Sequence, residues 1–149
     1  MKKLVTIAIM FISFAAVAEP SPRVVNEKVL KAFSQTFTVA QEVTWQEFED
    51  YYQANFKQED VQLRAQYDEN GNLLKTIRYY SEKELLPNII AKLKSKYAGK
   101  TIEGVTETTS NDEVSFVISL KDDANWYIVK SDAYGRMELT KKFKRADKE

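Results

Sequence analysis

The chain of 149 residues contains no histidine and no cysteine. Thiol nucleophiles, Ser-His-Asp triads, Cys/His zinc sites, disulfides and c-type haem attachment each need one or both, so all are excluded. An enzyme here would have to work with carboxylates, Lys, Tyr or Ser alone. Charge of one sign is also missing: 22 Lys+Arg stand against 22 Asp+Glu. That balance lacks the strong basic excess of a dedicated nucleic-acid binder. No long apolar run follows the first 18 residues, so none later could span a bilayer as a helix. What is present is ordinary folded-protein composition, 44% hydrophobic with 12% aromatic residues. A disordered chain would have fewer aromatics and a larger net charge.

The first residues read as an address. Lys2 and Lys3 form a short positive region, and Leu4 to Val17 is an almost unbroken apolar run. Ala16-Val17-Ala18 places small residues where a signal peptidase reads, before Glu19-Pro20. Residues 1–18 are therefore expected to be a secretory signal peptide, cleaved near Ala18. The run is about 14 residues, short of the ~20 a spanning helix needs. With no cysteine, no lipobox anchor can form. The expected destination is the periplasm or the outside of the cell, where a protein without disulfides relies on its core.

The rest divides by hydrophobic period. Residues 19–24 read as a linker. Asn26 is placed to cap a helix from about Glu27 to Gln35, with Val25, Val29 and Phe33 on one stripe beside Leu30 and Phe37. From Val43 the period drops to two, giving strands near 43–48, 51–57, 61–68 and 73–80. Asn70-Gly71 is the favoured pair for a two-residue type I′ hairpin. Leu86-Pro87 opens a second helix with Leu86, Ile89, Ile90, Leu93 and Tyr97 on its stripe and Gly99 at its end. Strands follow near 102–108, 114–121, 125–131 and 136–143.

The second half echoes the first. Val29 and Phe33 match Leu93 and Tyr97 at an offset of 64, as Asp68-Glu69-Asn70-Gly71 matches Asp132-Ala133-Tyr134-Gly135. Ala40 and Val43 match Ile102 and Val105 at an offset of 62. The expected fold class is α+β: a tandem repeat of a helix plus a four-stranded antiparallel meander. Its repeats are 25–80 and 86–143, within one domain of 25–143. Both helices pack on one face of a shared antiparallel sheet. Residues 144–149 form a charged tail.

A longer pattern runs through Val29-Leu30-Lys31-Ala32-Phe33, Phe37, Ala40, Val43-Thr44-Trp45, Tyr52-Gln53-Ala54-Asn55-Phe56, Tyr67-Asp68-Glu69-Asn70-Gly71-Asn72-Leu73 and Leu86-Pro87. In that order these residues resemble the PepSY-like, β-lactamase-inhibitor-protein-like family of exported bacterial proteins, over about residues 24–143. The resemblance implies helices on one sheet face, an open opposite face, and a binding or inhibitory module. It does not carry over β-lactamase inhibition. The second half has Thr106-Glu107 after Val105, where the first has Thr44-Trp45 after Val43.

Several clusters have plain readings. Asp68-Glu69-Asn70-Gly71-Asn72 has its Gly at position 4, not the position 6 of a calcium loop, so a turn explains it. Glu47, Glu49 and Asp50, and Asp122 and Asp123, fall at turns, where solvated carboxylates are common. Lys92, Lys94, Lys96 and Lys100, and Lys141, Lys142, Lys144 and Arg145, are cations on a helix face and in the C-terminal stretch, and a solvated face explains them. The aromatics are the most informative. Phe33, Phe37, Tyr52, Phe56, Tyr67, Tyr97, Phe116 and Trp126 fall in the apolar phase. Tyr51, Tyr80 and Tyr127 fall in the other phase, with Gln53, Asn55, Arg64, Gln66 and Arg78. Tyr and Arg anchor many interfaces. These eight residues are therefore the expected partner-binding set on the open sheet face, although cross-strand Tyr pairs can also simply cover a sheet. No catalytic residue, metal ligand or cofactor is implied. The expected partner is an envelope protein or peptide. The alternatives are a carrier or sensor of a small envelope ligand held between helices and sheet, a structural envelope protein without a soluble ligand, and a carboxylate- or Tyr/Lys-based enzyme.

Overall fold

The computed structural model describes residues 24–146. The signal-peptide expectation, residues 19–23 of the linker and the last residues of the tail lie outside them. The order is α1 (Glu27–Thr36), β1 (Gln41–Glu47), β2 (Tyr52–Gln58), β3 (Val61–Tyr67), β4 (Leu73–Tyr80), a 3-10 turn (Glu82–Glu84), α2 (Pro87–Lys96), β5 (Thr101–Ser110), β6 (Glu113–Lys121), β7 (Asn125–Asp132) and β8 (Met137–Lys144). The strands form one antiparallel sheet in sequence order, β1 to β8. Every connection within each run of four is a hairpin. The connection between the two runs, from β4 to its antiparallel neighbour β5, carries the 3-10 turn and α2. The class is α+β. Among the described residues no helix is long and apolar enough to cross a membrane.

Local chemistry sets the helix ends. The Asn26 side chain accepts from the Lys28 N–H at 2.8 Å, and its own amide donates to the Glu69 carbonyl at 3.0 Å. One side chain thus caps α1 and ties it to the turn between β3 and β4. Leu86 precedes α2 without a side-chain cap, and Pro87 occupies the first helical turn, where a missing N–H costs nothing. The chain leaves α2 at Tyr97, whose N–H bonds the Leu93 carbonyl. Gly99 lies two residues further on, at φ +76° inside the turn closed by Lys100 N–H to Tyr97 O.

The turns correct one expectation. The type I′ geometry falls on Asn111 and Asp112, both at positive φ, between the paired residues Ser110 and Glu113. At 68–72 only Gly71 has positive φ, so this is a type I turn followed by a left-handed glycine, a three-residue loop. The Asp68 carboxylate organises it, accepting from the N–H groups of Asn70 and Asn72. Asp132 does the same for Tyr134 and Arg136 in the loop from β7 to β8. Each loop presses on a helix. A Cβ on Gly71 would lie 2.8 Å from the Lys28 carbonyl oxygen, and one on Gly135 would lie 2.6 Å from the Lys92 side chain.

Two clusters of buried side chains lie on the same sheet face. Val29 and Phe33 of α1 join Ala54, Phe56, Leu63, Ala65 and Tyr67. Phe33 sits edge-on to Trp45 and Phe56 at 5.2 and 5.0 Å. Ile89 and Leu93 of α2 join Tyr80, Leu85, Val105, Phe116, Ile118, Leu120, Tyr127 and Val129. Each fully buried aliphatic or aromatic side chain contributes about 1.5–3 kcal/mol. Val61 packs against both clusters and links them. The lysines of α2 serve the fold: Lys92 and Lys96 donate to the carbonyls of Tyr134 and Met137, and Lys94 pairs with Glu82.

The registers of the two halves also correspond. Trp45 pairs with Ala54, and Val105 with Ile118. A bulge interrupts β1 between Gln41 and Thr44, and β5 between Ile102 and Gly104. Ala54 and Ile118 are 64 residues apart, and their partners Trp45 and Val105 are 60 apart.

Candidate functional site on the open sheet face

The face opposite the two clusters is set by cross-strand register. Thr44 and Gln46 of β1 share it with Gln53, Asn55 and Lys57 of β2. Gln62, Arg64 and Gln66 of β3, and Lys75, Ile77 and Tyr79 of β4, continue it. Thr106, Thr108 and Ser110 of β5 lead to Ser115, Val117 and Ser119 of β6, then to Ile128 and Lys130 of β7. Lys121, Trp126 and Phe143 complete the row at one end.

An amide network lies on its β1–β3 part. The Gln53 amide donates to Gln46 Oε1 at 3.2 Å and to Asn55 Oδ1 at 3.0 Å, and Gln53 Oε1 accepts from Gln66 at 2.9 Å. Asn55 also donates to Gln46 at 3.4 Å. Gln53 is only 6% exposed. A buried amide needs its partners, and here three neighbouring side chains supply them and hold one another's rotamers. Beside the network, the Arg64 guanidinium lies 5.3 Å from the centre of the Tyr79 ring. A shallow depression of about 200 Å³ runs past Thr44, Asn55, Lys57, Gln62, Arg64 and Tyr79. In chemical terms this part offers amide donors and acceptors, two cations (Arg64, and Lys57 paired with Glu42) and one aromatic face. The β6–β8 part is more apolar, with Val117, Ile128, Trp126 and Phe143; Phe143 is 49% exposed.

Of the eight residues expected on this face, the structure places Gln53, Asn55, Arg64 and Gln66 there, in mutual contact or adjacent register. Tyr51 sits in the turn between β1 and β2, its ring stacked on Phe48 at 4.5 Å. The other three are corrected. Arg78 pairs with Leu63, Tyr80 with Val105 and Tyr127 with Leu120, so all three share the helix side of the sheet. There the Glu107 carboxylate accepts from Arg78 Nη1 at 3.1 and 3.2 Å and from the Tyr80 hydroxyl at 2.5 Å. Burial first, then this bond and charge, push the Tyr80 hydroxyl well above the usual tyrosine range. The Tyr127 hydroxyl donates to Asp122 at 2.6 Å, and Lys100 donates to the same carboxylate at 3.1 Å. The Tyr127 bond above all, with the Ala124 N–H, holds Asp122 far below the usual carboxylate range. Trp126 is the converse case. Expected in the core, it lies on the open face opposite Lys121 and Phe143.

Gln46, Tyr79 and Trp126 were missed by sequence reasoning. The signal for Tyr79 was its register: through the loop at 68–72 it falls opposite Gln62, which alternates with Arg64. Among the described residues no group of three acidic side chains is placed to hold a metal ion.

The fold is that of a set of solved Bacteroides proteins. A DUF2874 family protein from Bacteroides ovatus matches with a TM-score of 0.62 and 21% identity, over 79% of this chain and 86% of that one. A BLIP-like protein from Bacteroides fragilis matches with a TM-score of 0.62 and 17% identity, over 80% and 85%. A protein from Bacteroides eggerthii, whose description suggests a periplasmic location, matches with a TM-score of 0.62 and 12% identity, over 83% and 91%. No protein-family model matches the chain, and no curated protein does. At these identities the likeness shows the fold, which fits a BLIP-like architecture.

Proposed function

We propose that the chain is an exported, non-enzymatic module that recognises a protein or peptide through the open face of its sheet. In this reading residues 1–18 are a cleaved signal, and 25–143 form one domain of two repeats, 25–80 and 86–143, with both helices on one face. The recurring bulges, Asp-organised loops and 64-residue spacing support the repeat. The suggested periplasmic location of the Bacteroides eggerthii protein supports export, and the BLIP-like neighbour supports a module that binds protein. The PepSY-like side of the resemblance rests on the sequence pattern alone.

One observation carries the proposal: the amide network around the buried Gln53, flanked by Arg64 on Tyr79, on the face without helices. An ordered polar patch with an adjacent aromatic and apolar region is what a peptide or protein surface needs for both hydrogen bonds and burial. The small-ligand alternative has less support. Between helices and sheet the space is filled by Val29, Ile89, Ile118 and Val129, each 0% exposed.

The test is affinity capture from an envelope extract of the source cells. The protein is compared with Arg64→Ala/Tyr79→Ala and with Lys31→Ala, on the exposed surface of α1. A specific partner held by the wild type and Lys31→Ala, but lost by the double variant, supports the reading. A partner retained by the double variant and lost by Lys31→Ala contradicts it.

A further inference from the structure

The junction at the middle of the sheet has a counterpart at its two ends. β4 pairs with β5, bringing Arg78 opposite Glu107, Tyr79 opposite Thr106 and Tyr80 opposite Val105. The last strand, β8, stands on β7 as β4 stands on β3: Leu63 pairs with Arg78 and Tyr127 with Lys142, while Gln62 pairs with Tyr79 and Trp126 with Phe143. The first strand, β1, stands on β2 as β5 stands on β6: Glu47 pairs with Tyr52 and Glu107 with Phe116. Within the described sheet β1 has only β2 as a neighbour, and β8 only β7.

We infer that β8 of one molecule pairs with β1 of a second copy, repeating the β4–β5 junction between molecules. The transferred register sets Lys142 opposite Glu47, Phe143 opposite Gln46 and Lys144 opposite Trp45. The internal Arg78–Glu107 ion pair is thereby rebuilt as Lys142–Glu47. Charge favours this order over the others. Residues 41–50 carry Glu42, Glu47, Glu49 and Asp50 and no cation, whereas 137–145 carry Lys141, Lys142, Lys144 and Arg145 with the single acid Glu138. Pairing β1 with β1, or β8 with β8, opposes like charges, which is unfavourable across strands. Lysines on an edge strand ordinarily discourage pairing. Here they discourage it with another basic edge and favour an acidic one. The contact is head-to-tail, so it propagates or closes as a ring. A single short strand pairing buries little area, so association is weak. The inference is independent of what the open face binds.

Sedimentation velocity of the purified protein, from about 10 µM to about 1 mM, reads the association. At about 0.05 M salt the mass should rise with concentration, and at about 0.5 M salt it should fall toward the monomer. Glu47→Lys alone and Lys142→Glu alone should each weaken self-association roughly tenfold, from attraction turned into repulsion. An equimolar mixture of the two variants should restore it, because each then meets an opposite charge at both contacts. That rescue also shows that neither variant has merely lost its fold. The chain has no cysteine, so a mixture of Gln46→Cys and Phe143→Cys proteins should form a mixed disulfide under oxidation faster than either variant links to itself. A monomer at every concentration, variants that associate like the wild type, a mixture that stays monomeric, or self-linking as fast as mixed linking would each overturn the inference.

Discussion

Replacing Glu107 with Gln tests how the centre of the sheet is held. The carboxylate accepts two bonds from Arg78 Nη1, at 3.1 and 3.2 Å, and one from the Tyr80 hydroxyl at 2.5 Å. Its side chain is 15% exposed, against 37% for Arg78. Hydrogen bonds to a charged group are worth about 1.5–3 kcal/mol each. The substituted side chain would keep one acceptor oxygen, enough for Tyr80, but its amide nitrogen would face the guanidinium. Arg78 is exposed enough to recover water, so only part of its loss is felt. The expected cost is about 2 kcal/mol, a sizeable share of the 5–15 kcal/mol of a typical domain. Urea unfolding at neutral pH reads it, and the melting temperature should fall by roughly 5–10 °C. A second readout comes from alkali. Because the folded Tyr80 hydroxyl titrates above its unfolded value of about 10, its contribution is full below pH ~10 and is lost as pH rises toward the folded value. Glu107 supplies part of that rise, so in Glu107→Gln the last phenolate should appear at lower pH by ultraviolet titration. A cost under about 0.5 kcal/mol with an unchanged tyrosine titration would refute the placement of Arg78 and Tyr80 around Glu107.

Three further outcomes are expected. Phe33→Ala removes a ring packed against Phe37, Trp45, Phe56 and Tyr67 and should cost about 3–5 kcal/mol in denaturant unfolding; a cost under about 1 kcal/mol would contradict the packing. Gly71→Ala should destabilise by roughly 1 kcal/mol more than Gly135→Ala in the same assay, because it meets the Lys28 backbone, whereas Gly135 meets a side chain that can swing away. The pKa values of Asp68, Asp122 and Asp132 are lowered, chiefly by the Asn72 amide, the Tyr127 hydroxyl and the Arg136 N–H respectively. Their stabilisation is present above the unfolded value of about 4 and is lost as pH falls through the folded values, so the melting temperature should drop below pH ~4, less steeply in Asp122→Asn.

Much of this architecture was legible from periodicity. Both helices and all eight strands fall within about two residues of where alternation and capping placed them. The helix-side residues of β2 and β3 were readable because Ala54, Phe56, Leu63 and Ala65 alternate cleanly with polar neighbours. β4 and β7 were not. In β4 the outward residue is Ile77 and the inward one Arg78, an inversion stabilised by Glu107, 29 residues away on another strand. The register shift between Gln66 and Tyr67 further obscures the phase. In β7 both phases are apolar: Tyr127 and Val129 point one way, Trp126 and Ile128 the other. Alternation cannot choose between them, and only pairing with Leu120 and Ile118 decides. Of the candidate site, Gln53, Asn55, Arg64 and Gln66 were legible because β2 and β3 join by a short hairpin that keeps their register. Tyr79 and Trp126 depended on the two ambiguous strands.

The open face as the recognition surface is tested most directly by oxidative footprinting of the protein with its captured partner. Tyr79, Trp126 and Phe143 should lose reactivity in the complex. Tyr134 in the loop from β7 to β8, 75% exposed, and Leu30 on α1 should not change. Protection of Leu30 and Tyr134 with unchanged Tyr79, Trp126 and Phe143 would place the partner on the helix side and contradict the account.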